Sequence, residues 1–198
     1  MILTKSLDKQ DLSEIENWLE YWKNKNYLTN SSLKDFKFER AELILVTYLN
    51  GQFSFVSYLE NVSVFIPKTF RILTRGVKTK YKLNTSGKYF EDYVNAFGLH
   101  AGLQANWIKD NYKDHKVIMS TNADEHDGNK KSVQATRLIT KFPHKKFCSF
   151  DSIKKIWYVN QCIWNIDINT CINHSIEFYD KYDLNFFKIY NNLKKYSI

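Results

Sequence analysis

Apolar positions fall into two periods along this chain. A helical stripe through Leu12, Ile15, Leu19 and Trp22 predicts an amphipathic helix over residues 8–23, with Ser6 or Asp8 as its N-cap. Residues 2–5 read as a short strand before it, and a brief helix capped by Ser32 is expected over 32–38. Residues 43–49 and 52–59 are β-rich runs separated by Asn50-Gly51, a strong hairpin signal because both turn positions need positive φ. Leu43-Ile44-Leu45-Val46 is apolar on both faces, which predicts a strand covered on two sides. A strand follows over 70–74. Phe90, Val94, Phe97, Ala101, Ala105 and Ile108 then mark a long helix ending near Asn111, and a short strand is expected over 116–120.

Within the long helix Gly98 and Gly102 lie one turn apart, which lowers helix propensity but lets a backbone pack closely on a sheet. Val133, Leu138 and Ile139 predict another helix over 132–142, stopped by Pro143. Residues 147–150 and 156–166 read as two strands meeting near Asp151-Ser152. The tail, 173–198, predicts one or two helices carrying Phe178, Tyr182, Phe186, Phe187, Tyr190 and Leu193. The resulting order, β-α-α-β-β-β-α-β-α-β-β plus a helical tail, is an α/β (α+β mixed sheet) fold with helices on both faces. The expected organisation is one domain over 1–170 with a helical extension, 171–198, packed on it.

Composition narrows the picture. The chain has 198 residues, 43% hydrophobic and 16% aromatic, enough for one good core and too apolar for disorder. Its net charge of +8 favours acidic partners, a nucleic acid, a phosphorylated cofactor or an acidic protein surface, although the basic residues are spread rather than clustered. Cys148, Cys162 and Cys171 are odd in number and lack CxxC spacing, which fits a reducing compartment. With no run of 18 apolar residues and no signal-peptide core, the expectation is a cytoplasmic protein with no membrane contact.

One stretch gathers the chemistry. After the strand at 70–74 comes Arg75-Gly76-Val77-Lys78-Thr79-Lys80, and the basic loop continues to Lys88 before the long helix. Strand, polar loop and helix is the layout that turns backbone N–H groups and a helix N-terminus toward an anion. Lys78, Lys80, Lys82 and Lys88 add positive charge where the helix dipole is already positive, so the loop either binds an anion or is solvated.

The element order resembles the GNAT superfamily of acyl-CoA-dependent N-acyltransferases over most of residues 1–170. The resemblance implies that residues 70–74 are the family's fourth strand and 75–88 its pyrophosphate loop. It further implies that 91–111 is the third helix and that 116–120 splays away to leave a wedge for the donor. The loop departs from the family's Arg/Gln-x-x-Gly-x-Gly/Ala, with lysines standing where glycines belong. Acetyl-CoA or another acyl-CoA is the implied cofactor, held by Leu73, Thr74, Arg75, Gly76, Lys78, Thr79 and Lys80, with an oxyanion donor near Leu73 or Thr74. Glu60 or Asp124 is the implied base, and Tyr158 replaces the acid the family carries on its fourth helix. Basic charge permits a nucleic-acid acceptor, as in phage Mom-type adenine modification, and a phage-type source fits the divergence. The alternative is a non-enzymatic basic binding or structural protein, of viral type, that keeps the scaffold.

Other candidates reduce to simpler readings. His100, inside the long helix, reads as a hydrogen-bonded core histidine and Asp124-Glu125-His126-Asp127-Gly128 as a solvated turn. Cys162, Cys171 and His174 with Cys148 upstream lack a tight first pair, so no metal is expected. Trp107, Tyr112, Trp157, Tyr158 and Trp164 read as core aromatics before nucleobase platforms.

Overall fold

The computed structural model describes residues 1–24, 38–76, 80–82, 89–123 and 143–196. Strand β1 (Ile2–Ser6) leads into helix α1 (Lys9–Asn24). The start of α1 is closed by a reciprocal pair: the Asp11 N–H donates to Asp8 Oδ1 at 3.2 Å and the Asp8 N–H to Asp11 Oδ2 at 2.9 Å. The helices expected over 32–38 and 132–142 lie outside the described residues, apart from a short 3-10 turn at Phe38–Arg40.

Strands β2 (Ala41–Leu49) and β3 (Gln52–Asn61) form the expected hairpin, with Asn50 at φ 51° and Gly51 at φ 79°. Both are buried on two sides over most of their length. Strand β4 (Thr69–Gly76) pairs antiparallel with β3. The stretch expected as an open loop is partly a ribbon, because β5 (Lys80–Lys82) pairs antiparallel with β6 (Tyr89–Glu91). β6 runs straight into helix α2 (Asp92–Asn111), and β7 (Lys116–Asn122) follows.

Strands β8 (Cys148–Ile156) and β9 (Val159–Ile166) close the sheet. Here the expected boundary moves. Asp151-Ser152 carries a register shift inside β8, and the turn falls at Trp157-Tyr158. Bulge residues and turn residues share a polar, small composition, so sequence pattern confuses them. Helices α3 (Ile168–Asp180) and α4 (Phe186–Tyr190) complete the chain. The seven-stranded mixed sheet has the order β1-β2-β3-β4-β7-β9-β8, with β4 and β7 parallel and the other pairs antiparallel. No described helix is long and apolar enough to cross a membrane.

Helices α2 and α3 cover one face, where Leu45, Phe55, Ile72, Leu99, Ala105, Met119 and Ile172 share a core. On the other face Ile15 of α1 packs on Ile44, Val46, Val56, Tyr58 and Leu73. The glycines of α2 serve a helix rather than the expected sheet. The Gly102 N–H donates to Ser175 Oγ at 3.1 Å, and that hydroxyl donates to the Gly98 carbonyl at 2.6 Å. A Cβ at Gly102 would collide with the Ser175 Cβ and Oγ.

Candidate acyl-donor cleft

Two parallel strands come apart in the middle of the sheet. β4 and β7 pair from Thr69↔Lys116 to Ile72↔Met119 and no further. Beyond that point β4 stays bound to β3, Thr74 opposite Ser57 and Gly76 opposite Phe55. β7 stays bound to β9, Ser120 opposite Ile163 and Asn122 opposite Gln161. The strands therefore form a fork. Along its two inner edges the backbone groups of Leu73–Gly76 and Ser120–Asn122 make no ladder bonds to one another and must be satisfied by water or a ligand.

The start of α2 lies toward the open end of this fork. Tyr112, one residue past the helix, packs on Phe70 near the beginning of β4, ring centroids 4.7 Å apart. His100 binds Ser57, which pairs with Thr74. The helix thus runs antiparallel to β4, and its positive dipole end points the way β4 and β7 open.

A charged cluster occupies the crotch. Arg71 and Glu60 pair across β4 and β3 with side chains 0% exposed. Arg71 donates to Glu60 Oε2 through Nε at 3.0 Å and Nη2 at 2.5 Å, and reaches Ser120 Oγ on β7 through Nη1 at 3.5 Å. Trp157 Nε1 donates to the other oxygen of Glu60 at 2.7 Å. Trp157 has φ 54°, packs edge-on to Phe65, and lies under the Arg40 guanidinium, 3.8 Å from ring centroid to Cζ. Buried charges persist only when paired and hydrogen-bonded, and here both carboxylate oxygens are engaged.

Glu60 therefore stands at the fork, but it holds strands together, and taking up a substrate proton would break its buried pair. Leu73 is 4% exposed and belongs to the core under α1. Thr74, Arg75 and Gly76 form the end of β4, paired with Ser57, Val56 and Phe55. Lys80 begins β5 opposite Glu91. Lys78, Thr79 and Asp124 lie outside the described residues. Tyr158 is 75% exposed at the tip of the β8–β9 hairpin.

His100 is fully buried, with Thr47 Oγ1 2.7 Å from Nε2 and Ser57 Oγ 2.8 Å from Nδ1; burial pushes its pKa down to about 3. Among the described residues no group of three or more His, Cys, Asp or Glu could hold a metal ion, and no disulfide joins the cysteines. A surface cavity of about 420 Å³ opens by Met1, Lys5, Asp11 and Tyr48, on the edge strand and α1, away from the fork.

Sequence reasoning missed Arg71 and Ser120, and took Trp157 for a core aromatic without its bond to Glu60. A signal was present for the first: one basic residue in the apolar run Phe70-Arg71-Ile72-Leu73 and one acidic residue ending the adjoining apolar strand.

No protein-family model matches the sequence, and neither does any curated protein. Solved structures do match in fold. A spermidine N-acetyltransferase SpeG chimera from Vibrio cholerae and hSSAT superposes with a TM-score of 0.50 at 11% identity, over 87% of this chain and 98% of that one. An acetyltransferase of the GNAT family from Streptococcus pneumoniae gives 0.49 at 10% identity, over 83% and 98%. AAC(6')-Ib in complex with paromomycin and acetyl-CoA gives 0.49 at 11%, over 85% and 94%. The chain has a divergent GNAT-like fold. At such identities the likeness concerns the fold alone.

Proposed function

We propose that the protein is an acyl-CoA-dependent N-acyltransferase whose donor lies in the fork between β4 and β7. The observation that carries this reading is the parting of those strands after Ile72 and Met119, with the α2 N-terminus toward the open end. The unpaired edge of Leu73–Gly76 fits an extended, amide-bearing arm, which would complete the ladder bonds that β7 does not make. Leu73 or Thr74 supplies a backbone N–H to the charge developing on the acyl oxygen. Arg75, Gly76, Lys78, Thr79 and Lys80 take the phosphates, with lysine side chains doing what glycine-rich backbone does elsewhere. When bound, the donor supplies an activated thioester carbonyl.

The amine acceptor loses its proton to Asp124, two residues past the end of β7, and forms the new C–N bond as the C–S bond breaks. Tyr158 returns a proton to the departing sulfur. Glu60 anchors the cleft. The net charge of +8 favours an acceptor carried on an acidic molecule.

Titration with acetyl-CoA by calorimetry and thermal shift tests this. Binding raises the melting temperature by mass action, with about 2.7 kcal/mol of added stability at a hundredfold excess over Kd. Arg75→Ala combined with Lys78→Ala should abolish the shift. No binding up to millimolar acetyl-CoA would sink the reading and leave the basic, non-enzymatic alternative.

A further inference from the structure

Nothing in the pattern of β4 and β7 dictates where a parallel pair stops. Both strands continue after Ile72 and Met119, one to Gly76 and the other to Asn122. What meets at the stopping point is Arg71. It pairs with Ile118 on the last-but-one rung, and its Nη1 reaches forward to Ser120, the first residue of β7 beyond the ladder. Nε and Nη2 of the same planar group are tied back to Glu60 on β3, and Glu60 is tied in turn to Trp157 at the β8–β9 turn. A guanidinium is planar, rigid and always charged, so its reach from Glu60 to Ser120 is fixed.

Resting on the acyltransferase reading above, we propose that Arg71 is a positioning residue: clamped by Glu60, it fixes where β4 and β7 part and thereby the depth of the donor cleft. An apolar side chain would fill the crotch equally well. It would not hold Ser120 at a set distance from β3.

Two variants separate positioning from simple support. Arg71→Met with Glu60→Met replaces the buried pair by apolar groups, a change that often leaves stability unaltered. Ser120→Ala removes only the hook on β7. Amide hydrogen exchange of the unliganded protein and acetyl-CoA titration are read on both. The expected result is altered protection at Leu73, Thr74, Ser120 and Thr121, and acetyl-CoA affinity lower by about tenfold, a usual size for coupling between separated sites. Wild-type melting temperature together with weakened binding in the double variant excludes a merely structural role. Unchanged protection in both variants overturns the proposal, and so does unchanged affinity where the wild type binds. If the wild type binds no acetyl-CoA, the acyltransferase reading and the donor role of the cleft fall, while exchange still decides whether Arg71 sets the fork.

Discussion

Two fully buried polar clusters lie on opposite faces of one sheet and solve the same problem with opposite chemistry. Under α2, Thr4, Thr47, His100 and Ser57 form a neutral chain, linked at 2.8, 2.7 and 2.8 Å. Under Trp157, Arg71 and Glu60 form a charged one. Hydroxyls donate or accept as required, so the neutral chain is satisfied with either imidazole tautomer. The ion pair has no such latitude, since removing one member leaves a bare charge in an apolar interior. A buried polar group is therefore as costly to edit as its partners are inflexible. The fork is built from the inflexible kind.

The sharpest way to break this contrast is Arg71→Met alone. It should cost about 3–5 kcal/mol in denaturant unfolding, whereas adding Glu60→Met should recover most of that. A loss of under 1 kcal/mol for the single change would mean the pair is not the charged anchor described. Acid comes next. Burial pushes the His100 imidazole down to about 3 in the folded protein, well below its ordinary 6.5, so the unfolded chain binds its proton first as pH falls. The stability this group contributes is complete above pH 6.5 and declines toward pH 3, at most by about 1.4 kcal/mol per pH unit. Unfolding measured across that window should flatten in His100→Gln. The smallest effect is Thr47→Val, which strips His100 Nε2 of its partner and should cost about 1–3 kcal/mol. Equal losses at Thr47 and Arg71 would erase the distinction between the clusters.

What the sequence disclosed follows from how local each cause is. The Asn50-Gly51 turn was legible because positive φ is a property of those two residues alone. The parting of β4 and β7 was legible through element order, which the resemblance converts into a wedge. The β8–β9 turn was not, because Trp157 takes φ 54° amid tertiary contacts with Phe65, Glu60 and Arg40. No turn residue announces it. The Glu60–Trp157 bond joins residues 97 apart in sequence, and no window of residues contains that information. Gly102 showed itself as a close approach, but its partner, Ser175, lies 73 residues away on a helix whose position only packing determines.

The pairing of β7 has a consequence for how the protein is made. That strand keeps four rungs with β4, which precedes it, and six with β9, which the ribosome delivers some forty residues later. Until Ile166 has emerged, one wall of the opening is an unprotected margin that lacks some or all of its six rungs with β9. Early termination upstream of that residue would yield a chain that holds its β2–β3 hairpin and the crossover from β4 to β7, yet leaves β7 without its full complement of β9 partners.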